Sequence, residues 1–351
     1  MAAFLVLVVM ILVIPSILVV GFSNEGVESS SVNVGSDFTS EKPVSSVMRE
    51  GIEDETVISV FRSEKEVIEE VLFEDYIVGV VAMEMPARYD LDALKAQALA
   101  ARTYIIQHLT SENVLGLPDG ADVTDTELHQ VYASEDELRE RWGAEYEKNI
   151  ARVKQAVFET QGKVITFNGQ PITASYFSTS NGYTENSEDY WTHEFPYLRS
   201  VESPWDLDSP RYLGEKTIPV SDFQSRLSVT LSGQTAGTVL DRTAGGNVAR
   251  VEIGGKEFTG REIRNLLDLD STDFTLTRRG NNIIIETRGW GHGVGMSQFG
   301  ADGMAKEGYT YQEIIEHYYA GVTISNVADV IGNMTADETD ASSGKQVSAA
   351  P

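Results

Sequence analysis

The chain has 351 residues, 27 basic against 54 acidic, for a formal net charge of -27. Nucleic-acid binding needs a basic footprint, so this balance argues against it and reads as a soluble acidic surface. Cysteine is absent, which excludes disulfides and thiolate zinc sites and leaves no redox clue to compartment.

The first element is apolar. Ala3 to Phe22 is almost wholly Leu, Val, Ile, Met and Ala, and the first charged residue is Glu25. About 20 such residues cross a hydrocarbon core of roughly 30 Å, and one proline, Pro15, is tolerated in a bilayer helix. A cleaved signal peptide would instead carry a basic start, a run of about 7–15 apolar residues and a small-x-small site. We therefore expect an uncleaved transmembrane anchor over 1–24. No Lys or Arg precedes it, so the positive-inside rule has little to count; the acidic residues that follow, with no base until Lys42, favour export of the C-terminal side.

Residues 25–66, rich in Ser, Glu, Val and Gly, read as a flexible stalk, and 327–351 as a disordered tail. Between them, 67–326 forms one globular region without a repeat of 20–50 residues. Asp92 to Leu109 is its clearest helix, with Leu94, Ala98, Ala101 and Ile105 along one face. A capping box at Ser134–Glu137 starts a second helix, striped by Leu138, Trp142, Tyr146, Ile150 and Val153 and stopped by Gly162. Val164–Phe167, Asn168-Gly169 and Ile172–Phe177 predict a tight hairpin. Val248–Ile253 predicts a strand and Arg261–Leu267 a short helix. Phe274–Thr277 and Ile283–Thr287 pair around Gly280-Asn281-Asn282. A capping box at Thr310–Glu313 opens a last helix that ends before Gly321. The mixture predicts an α+β fold with antiparallel hairpins.

Three segments carry candidate chemistry. Glu84 is the only charge in the apolar run Ile77–Ala87. A carboxyl against apolar groups loses hydration and its pKa rises, as a general acid at neutral pH requires; the alternative is a solvent-facing Glu, or one paired with Arg88 or Arg102. Tyr176–Asn186 is dense in hydroxyl and amide donors interleaved with aromatics, a mixture that suits sugar binding, or equally a polar loop turning at Asn181-Gly182. Gly289–Gly300 lacks the Gly-Lys-Ser/Thr ending of a phosphate loop. Its alternating glycines bring His292 and Gln298 near a ligand or another strand, with a buried structural His292 as the competing reading. The five histidines His108, His129, His193, His292 and His317 form no paired-ligand motif, and Ser178, Ser180 and Ser297 lack a GxSxG frame.

Taken in order, Gly79–Pro86 (GVVAMEMP), Ala93–Tyr104 (ALKAQALAARTY), Phe177–Tyr190 (FSTSNGYTENSEDY), Phe195–Trp205 (FPYLRSVESPW) and Gly291–Ala301 (GHGVGMSQFGA) resemble the stage II sporulation protein D family. The resemblance runs from about Val67 to Val322. It implies a lytic transglycosylase acting on peptidoglycan glycan strands, preferentially those stripped of stem peptides. Its setting would be the mother-cell membrane during forespore engulfment, facing the intermembrane space, beside a partner cell-wall amidase and a membrane scaffold protein. It places the catalytic glutamate on Glu84 and substrate contacts on Arg102, Tyr176, Ser178, Thr179, Asn181, Tyr183, His292 and Gln298. No cofactor is implied. Relatives that bind zinc use Cys and His near the segment written here Asp122–His129, and this chain has no Cys. A non-catalytic glycan-binding or amidase-enhancing wall protein is the alternative function. Asp75, Asp90 and Asp92, near Glu84 in sequence, are assigned to helix capping and surface.

Overall fold

A computed structural model of the chain describes residues 56–111 and 117–332. The expected anchor, most of the stalk and the tail beyond 332 lie outside the described residues. Among those described, no helix is long and apolar enough to cross a membrane.

The ordered region starts inside the expected stalk. Strand β1 (Val57–Arg62) pairs antiparallel with β2 (Val67–Leu72), which runs directly into helix α1 (Phe73–Glu84). Pro86 explains where α1 stops: a residue before proline is pushed out of the helical region, and Met85 is extended at φ -128°, ψ 135°. Glu84 is thereby fixed as the last helical residue. Asp90 then caps α2 (Leu91–Thr110), its side chain accepting from the Asp92 N–H at 3.1 Å. Asp92 in turn accepts from the Tyr311 N–H at 3.0 Å, so both aspartates serve helix ends as expected.

Helix α2 is the central post. Its alanines give neighbouring helices close approach, and Ala93, Leu94, Ala96, Ala98, Leu99, Ala100 and Ala101 are all fully buried. Strand β3 (Val123–Thr124) adds in parallel to β1. The predicted second helix is two helices, α3 (Glu135–Trp142) and α4 (Tyr146–Glu159), joined by the 3-10 turn Gly143–Glu145. Gly143 takes φ 51° there, a conformation that costs glycine nothing, and the axis breaks while the apolar stripe continues. Asn168 (φ 51°) and Gly169 (φ 78°) turn β4 (Lys163–Phe167) into β5 (Gln170–Pro171), but the hairpin is shorter than predicted. The Ile172 N–H still reaches the Ile165 carbonyl at 3.1 Å, but the Ile165 N–H donates to Thr103 Oγ1 at 2.9 Å rather than back to the strand, and β6 (Tyr176–Phe177) leaves to pair in parallel with β13 (Met296–Ser297).

A second hydrophobic cluster collects Ile218, Phe223, Val251, Ile253, Ile263, Phe274, Ile283 and Ile285. It is built from β7 (Leu213–Pro219), α5 (Val220–Leu227), β8 (Thr238–Arg242), β9 (Val248–Ile253), β10 (Lys256–Thr259), α6 (Gly260–Leu267), β11 (Asp273–Arg279) and β12 (Asn282–Arg288). Two three-stranded sheets, ordered β10-β9-β8 and β11-β12-β7, are antiparallel throughout. The chain then returns to the first core through β13 (Met296–Ser297), α7 (Gln298–Lys306), α8 (Tyr311–Tyr318) and β14 (Thr323–Asn326), which pairs with β4. Residues 327–332, expected in the tail, are helical and bury Val327, Val330 and Ile331. The α+β expectation holds, with the two parallel pairs as its unpredicted part.

Candidate active site

A cleft of about 780 Å³ opens where α1 ends. Its walls are Ala82–Tyr89, Arg141 and Trp142 with the turn that follows, Ser178 and Thr179, Ser209–Arg211, and Gln298, Phe299, Asp302 and Lys306 of α7. Tyr89 and Phe299 meet edge to face, ring centroids 6.2 Å apart, so part of the lining is aromatic.

Glu84 sits half-buried in this wall. Burial pushes its carboxyl up to about 7, against hydrogen bonds from Gln298 and Tyr176 and from the Val131 backbone that favour the charged form. The carboxyl also ends a helix whose last turn carries no basic residue, and the negative pole of the helix dipole acts against a carboxylate there. The Tyr176 hydroxyl, held well above its usual range by burial and by Glu84 itself, stays a donor. Gln298 bonds through Nε2 to Oε1 of the fully buried Gln97 at 3.4 Å.

The glycine-rich loop explains how Gln298 arrives. Gly295 takes φ 82°, and a Cβ on it would overlap the Ser175 carbonyl. Only glycine lets this loop lie against the 175–181 segment and aim α7 at the cleft. Ser297 caps α7 through the Gly300 N–H and donates to Asp206 at 2.7 Å, which commits it to structure rather than to nucleophilic work.

The fold thus brings together Glu84, Tyr176, Ser178, Thr179 and Gln298. Four other candidates lie elsewhere. Arg102 is 0% exposed and grips Glu74 with two bonds of 3.0 and 2.7 Å, with further bonds to Thr160 and to the Val157 and Lys163 carbonyls; its fork is spent on the core. His292 is boxed by Phe177, Tyr190 and Trp191, each centroid 5.6 Å away. Burial and the nearby Arg264 charge lower it to about 4. Its Nδ1 accepts from the Val294 N–H at 3.0 Å, which leaves the proton on Nε2, 3.3 Å from Ser175 Oγ. The structure thus places His292 among protein partners and outside the cleft lining. Asn181 turns the other way, donating to Gly245 O at 2.9 Å and Asp273 Oδ2 at 3.2 Å. Tyr183 is 47% exposed and does not line the cleft.

Sequence reasoning missed Tyr89, Arg141, Trp142, Arg211, Phe299 and Lys306 as lining residues, because α3, α7 and two loops far apart in sequence meet only in the fold; Phe299 stands inside the glycine-rich motif, but its ring was given no role there. It also missed Glu185, 2% exposed, whose Oε1 accepts from Thr243 and Asn247 at 2.8 Å each while Oε2 has no partner among the described residues. Burial pushes this carboxyl too up to about 7.

The family profile described as "Stage II sporulation protein" matches residues 62–167, a stretch that contains Glu84 and all of α2. The chain is 46% identical to "Stage II sporulation protein D" of Bacillus subtilis (strain 168) over 321 residues, covering 91% of this chain and 94% of that protein. Identity to the protein of the same name from Bacillus amyloliquefaciens is 44% over 326 residues, 91% and 93% of the two chains. A third relative, "Amidase enhancer" of Bacillus subtilis (strain 168), is 31% identical over 303 residues, covering 71% of this chain and 40% of that protein.

Proposed function

We propose, since this chain belongs to the stage II sporulation protein D family, that it is a lytic transglycosylase that cuts peptidoglycan glycan strands during forespore engulfment, preferring strands stripped of stem peptides. One observation supports this reading above the others: a single carboxyl, pushed up to about 7, faces the cleft, and among the described residues of its lining the other two acids each lie beside a lysine. Of the other two acids in its lining, Asp302 holds Lys306 at 2.5 Å and accepts the Asp90 N–H at 2.7 Å. Glu145 is exposed and lies 3.6 Å from Lys148. Most glycosidases need two carboxylates flanking the bond. A transglycosylase manages with one.

In the proposed cycle Glu84, protonated, donates its proton to the oxygen linking muramic acid to the following glucosamine, and the bond from muramic C1 to that oxygen breaks. The Glu84 carboxylate then takes the proton of the muramic 6-hydroxyl as O6 bonds to C1. A 1,6-anhydro ring closes, no water is consumed, and Glu84 is protonated again. A pKa near 7 serves both halves, since the group is acid first and base second. Tyr176 and Gln298 steady the carboxylate between the two steps, while Ser178, beside the buried Thr179, presents its hydroxyl to the sugar. In this reading the segment 1–24 anchors the enzyme in the mother-cell membrane with the cleft on the exported side, beside an amidase and a membrane scaffold protein.

The name of the third relative, "Amidase enhancer", favours a second reading, an amidase-enhancing wall protein without glycosidic activity. Mass spectrometry of stripped strands digested by the wild-type chain and by Glu84→Gln decides between them. We expect 1,6-anhydro ends from the former only. Their absence, or equal yield from both, removes the enzyme reading, and reducing ends in their place would mean hydrolysis by water.

A further inference from the structure

Acidic residues outnumber basic ones 54 to 27 in the whole chain, yet the cleft lining reverses the ratio. It carries Arg88, Arg141, Lys148, Arg211 and Lys306 against Glu84, Glu145 and Asp302. Two of these cations have carboxylate partners, Lys306 with Asp302 and Lys148 with Glu145. The three arginines have none among the described residues. The Arg88 guanidinium lies 5.8 Å from the Tyr89 ring centroid. Arg141 reaches only the Met83 sulfur, at 3.6 Å. Arg211 lies 4.8 Å from the Trp290 ring centroid, with Nη1 3.5 Å from Ser178 Oγ. Elsewhere Arg62, Arg102, Arg199 and Arg242 each hold a carboxylate, and Arg152 and Arg278 spend their guanidiniums on two backbone carbonyls each. In a chain so rich in acids, three exposed guanidiniums from three different elements around one cleft, each without an acid, point to an anion supplied from outside. A guanidinium against an aromatic face or a thioether keeps its N–H edge free, and that edge matches a carboxylate.

We propose that Arg88, Arg141 and Arg211 determine strand specificity by pairing with the free lactyl carboxylates of muramic acid. The inference rests on the glycan-strand reading above. While a stem peptide is attached, the lactyl carboxyl is an amide, uncharged, and offers the arginines nothing. Once the peptide is removed the carboxylate appears on every muramic residue, at intervals along the strand, and can meet guanidiniums spread along a cleft. A stem peptide carries carboxylates of its own, so the chemistry alone has two sources and the test must separate them.

The probes are three preparations of one strand: stripped, with free lactyl carboxylates; stripped, with those carboxyls blocked as methylamides; and intact, with stem peptides. Binding is measured on the full chain carrying Glu84→Gln, so that turnover does not intrude, with Arg141→Gln and Arg211→Gln added singly and together. Arg226→Gln, on α5 and outside the cleft, is the control, and thermal melting checks that every variant is folded. The expected result is about fivefold weaker binding of free-carboxylate strands for each arginine removed and about twentyfold for the pair, shrinking as salt rises. Blocked strands should bind weakly and alike to all variants. Two results overturn the proposal: arginine variants that bind free strands as tightly as the parent, or a parent that binds blocked or intact strands as tightly as free ones. The second, with intact strands, would assign the arginines to the stem peptide. Loss of 1,6-anhydro products from the unsubstituted chain would remove the reaction and leave this binding comparison standing, whereas no binding of any strand removes both.

Discussion

Glu84 and Glu185 are two carboxyls with the same titration and opposite surroundings. Burial pushes each up to about 7, and each is partly pulled back by hydrogen-bond donors. Glu84 sits at a helix end on the wall of an open cleft. Glu185 is sealed: Thr243 and Asn247 hold one oxygen, and a Cβ on Gly245 would overlap that same atom. A raised pKa therefore marks desolvation, and desolvation alone does not mark a catalytic acid. Access to a substrate does. The pair also shows why perturbed titration is a prior for function that geometry must complete.

The sharpest way to break this comparison is to remove each carboxyl in turn. Glu84→Gln should lower the rate of anhydro-end formation about a thousandfold, the order expected of a group that serves as general acid and then as base. Glu185→Gln should change that rate less than about threefold. Steady-state release of muropeptide-free fragments measures both, and comparable losses would mean that Glu185 belongs to the chemistry. The wild-type rate should also be flat below about pH 7 and fall about tenfold per unit above it, since in the proposed cycle only protonated Glu84 starts the reaction.

Arg102 tests a third kind of buried charge, one that is fully paired. Removing one partner of such a pair strands the other. Arg102→Ala should lower unfolding free energy by about 3 kcal/mol, because Glu74, only 24% exposed in its side chain, keeps its charge without its clamp. Chemical denaturation reads this directly. Should stability hold while KM rises, Arg102 contacts substrate after all.

Glu84 was legible in the sequence for a physical reason: a lone acid in an apolar run states its own desolvation, although the helix that ends on it, Phe73–Glu84, went unread. The glycine spacing of 289–295 likewise announced a close backbone approach, which Gly295 makes against Ser175. Arg102 and His292 misled because their partners are distant in sequence. Glu74 lies 28 residues from Arg102, and Tyr190 and Trp191 close on His292 from another loop. The cleft arginines fail to show for the same reason, since an unpaired guanidinium is defined by what does not approach it. Glu185 looked like one more polar residue in a donor-rich loop until the β8–β9 turn covered it.

Stability against pH isolates Glu185. Its carboxyl is raised from 4.5 to about 7. Below pH 4.5 folded and unfolded chains are both protonated there. Between about 4.5 and 7 the unfolded chain ionises while the folded one keeps its proton, so stability is lost as pH rises, and above about 7 the loss is complete. Glu185→Gln does not titrate. Its stability relative to wild type should therefore grow by about 3 kcal/mol between pH 4 and pH 8, read from denaturation midpoints at the two ends. A flat difference would mean that Glu185 is hydrated in a way its 2% exposure does not suggest.

The smallest effect belongs to the loop that carries both kinds of residue. Ser178 and Thr179 face the cleft, and Thr179 is pinned there by backbone bonds to Trp290 of 3.0 and 2.7 Å. Two residues later Asn181 has turned to Gly245 and Asp273, and Tyr183 projects into solvent from a bridge to Glu202. The change of direction falls between Thr179, bonded on both sides to Trp290, and Asn181, bonded to Gly245 and Asp273. Tyr183→Ala should then shift stability by no more than about 0.5 kcal/mol and leave the rate on short stripped strands within about twofold. Measured again on long strands, the same variant bears on how far the glycan runs. A loss confined to long strands would mean that the strand leaves the cleft across this loop, with Tyr183 as a remote stacking platform. An equal loss on short ones would put the tyrosine back among the residues that meet the cleaved bond, and the division of the loop between Thr179 and Asn181 would no longer stand.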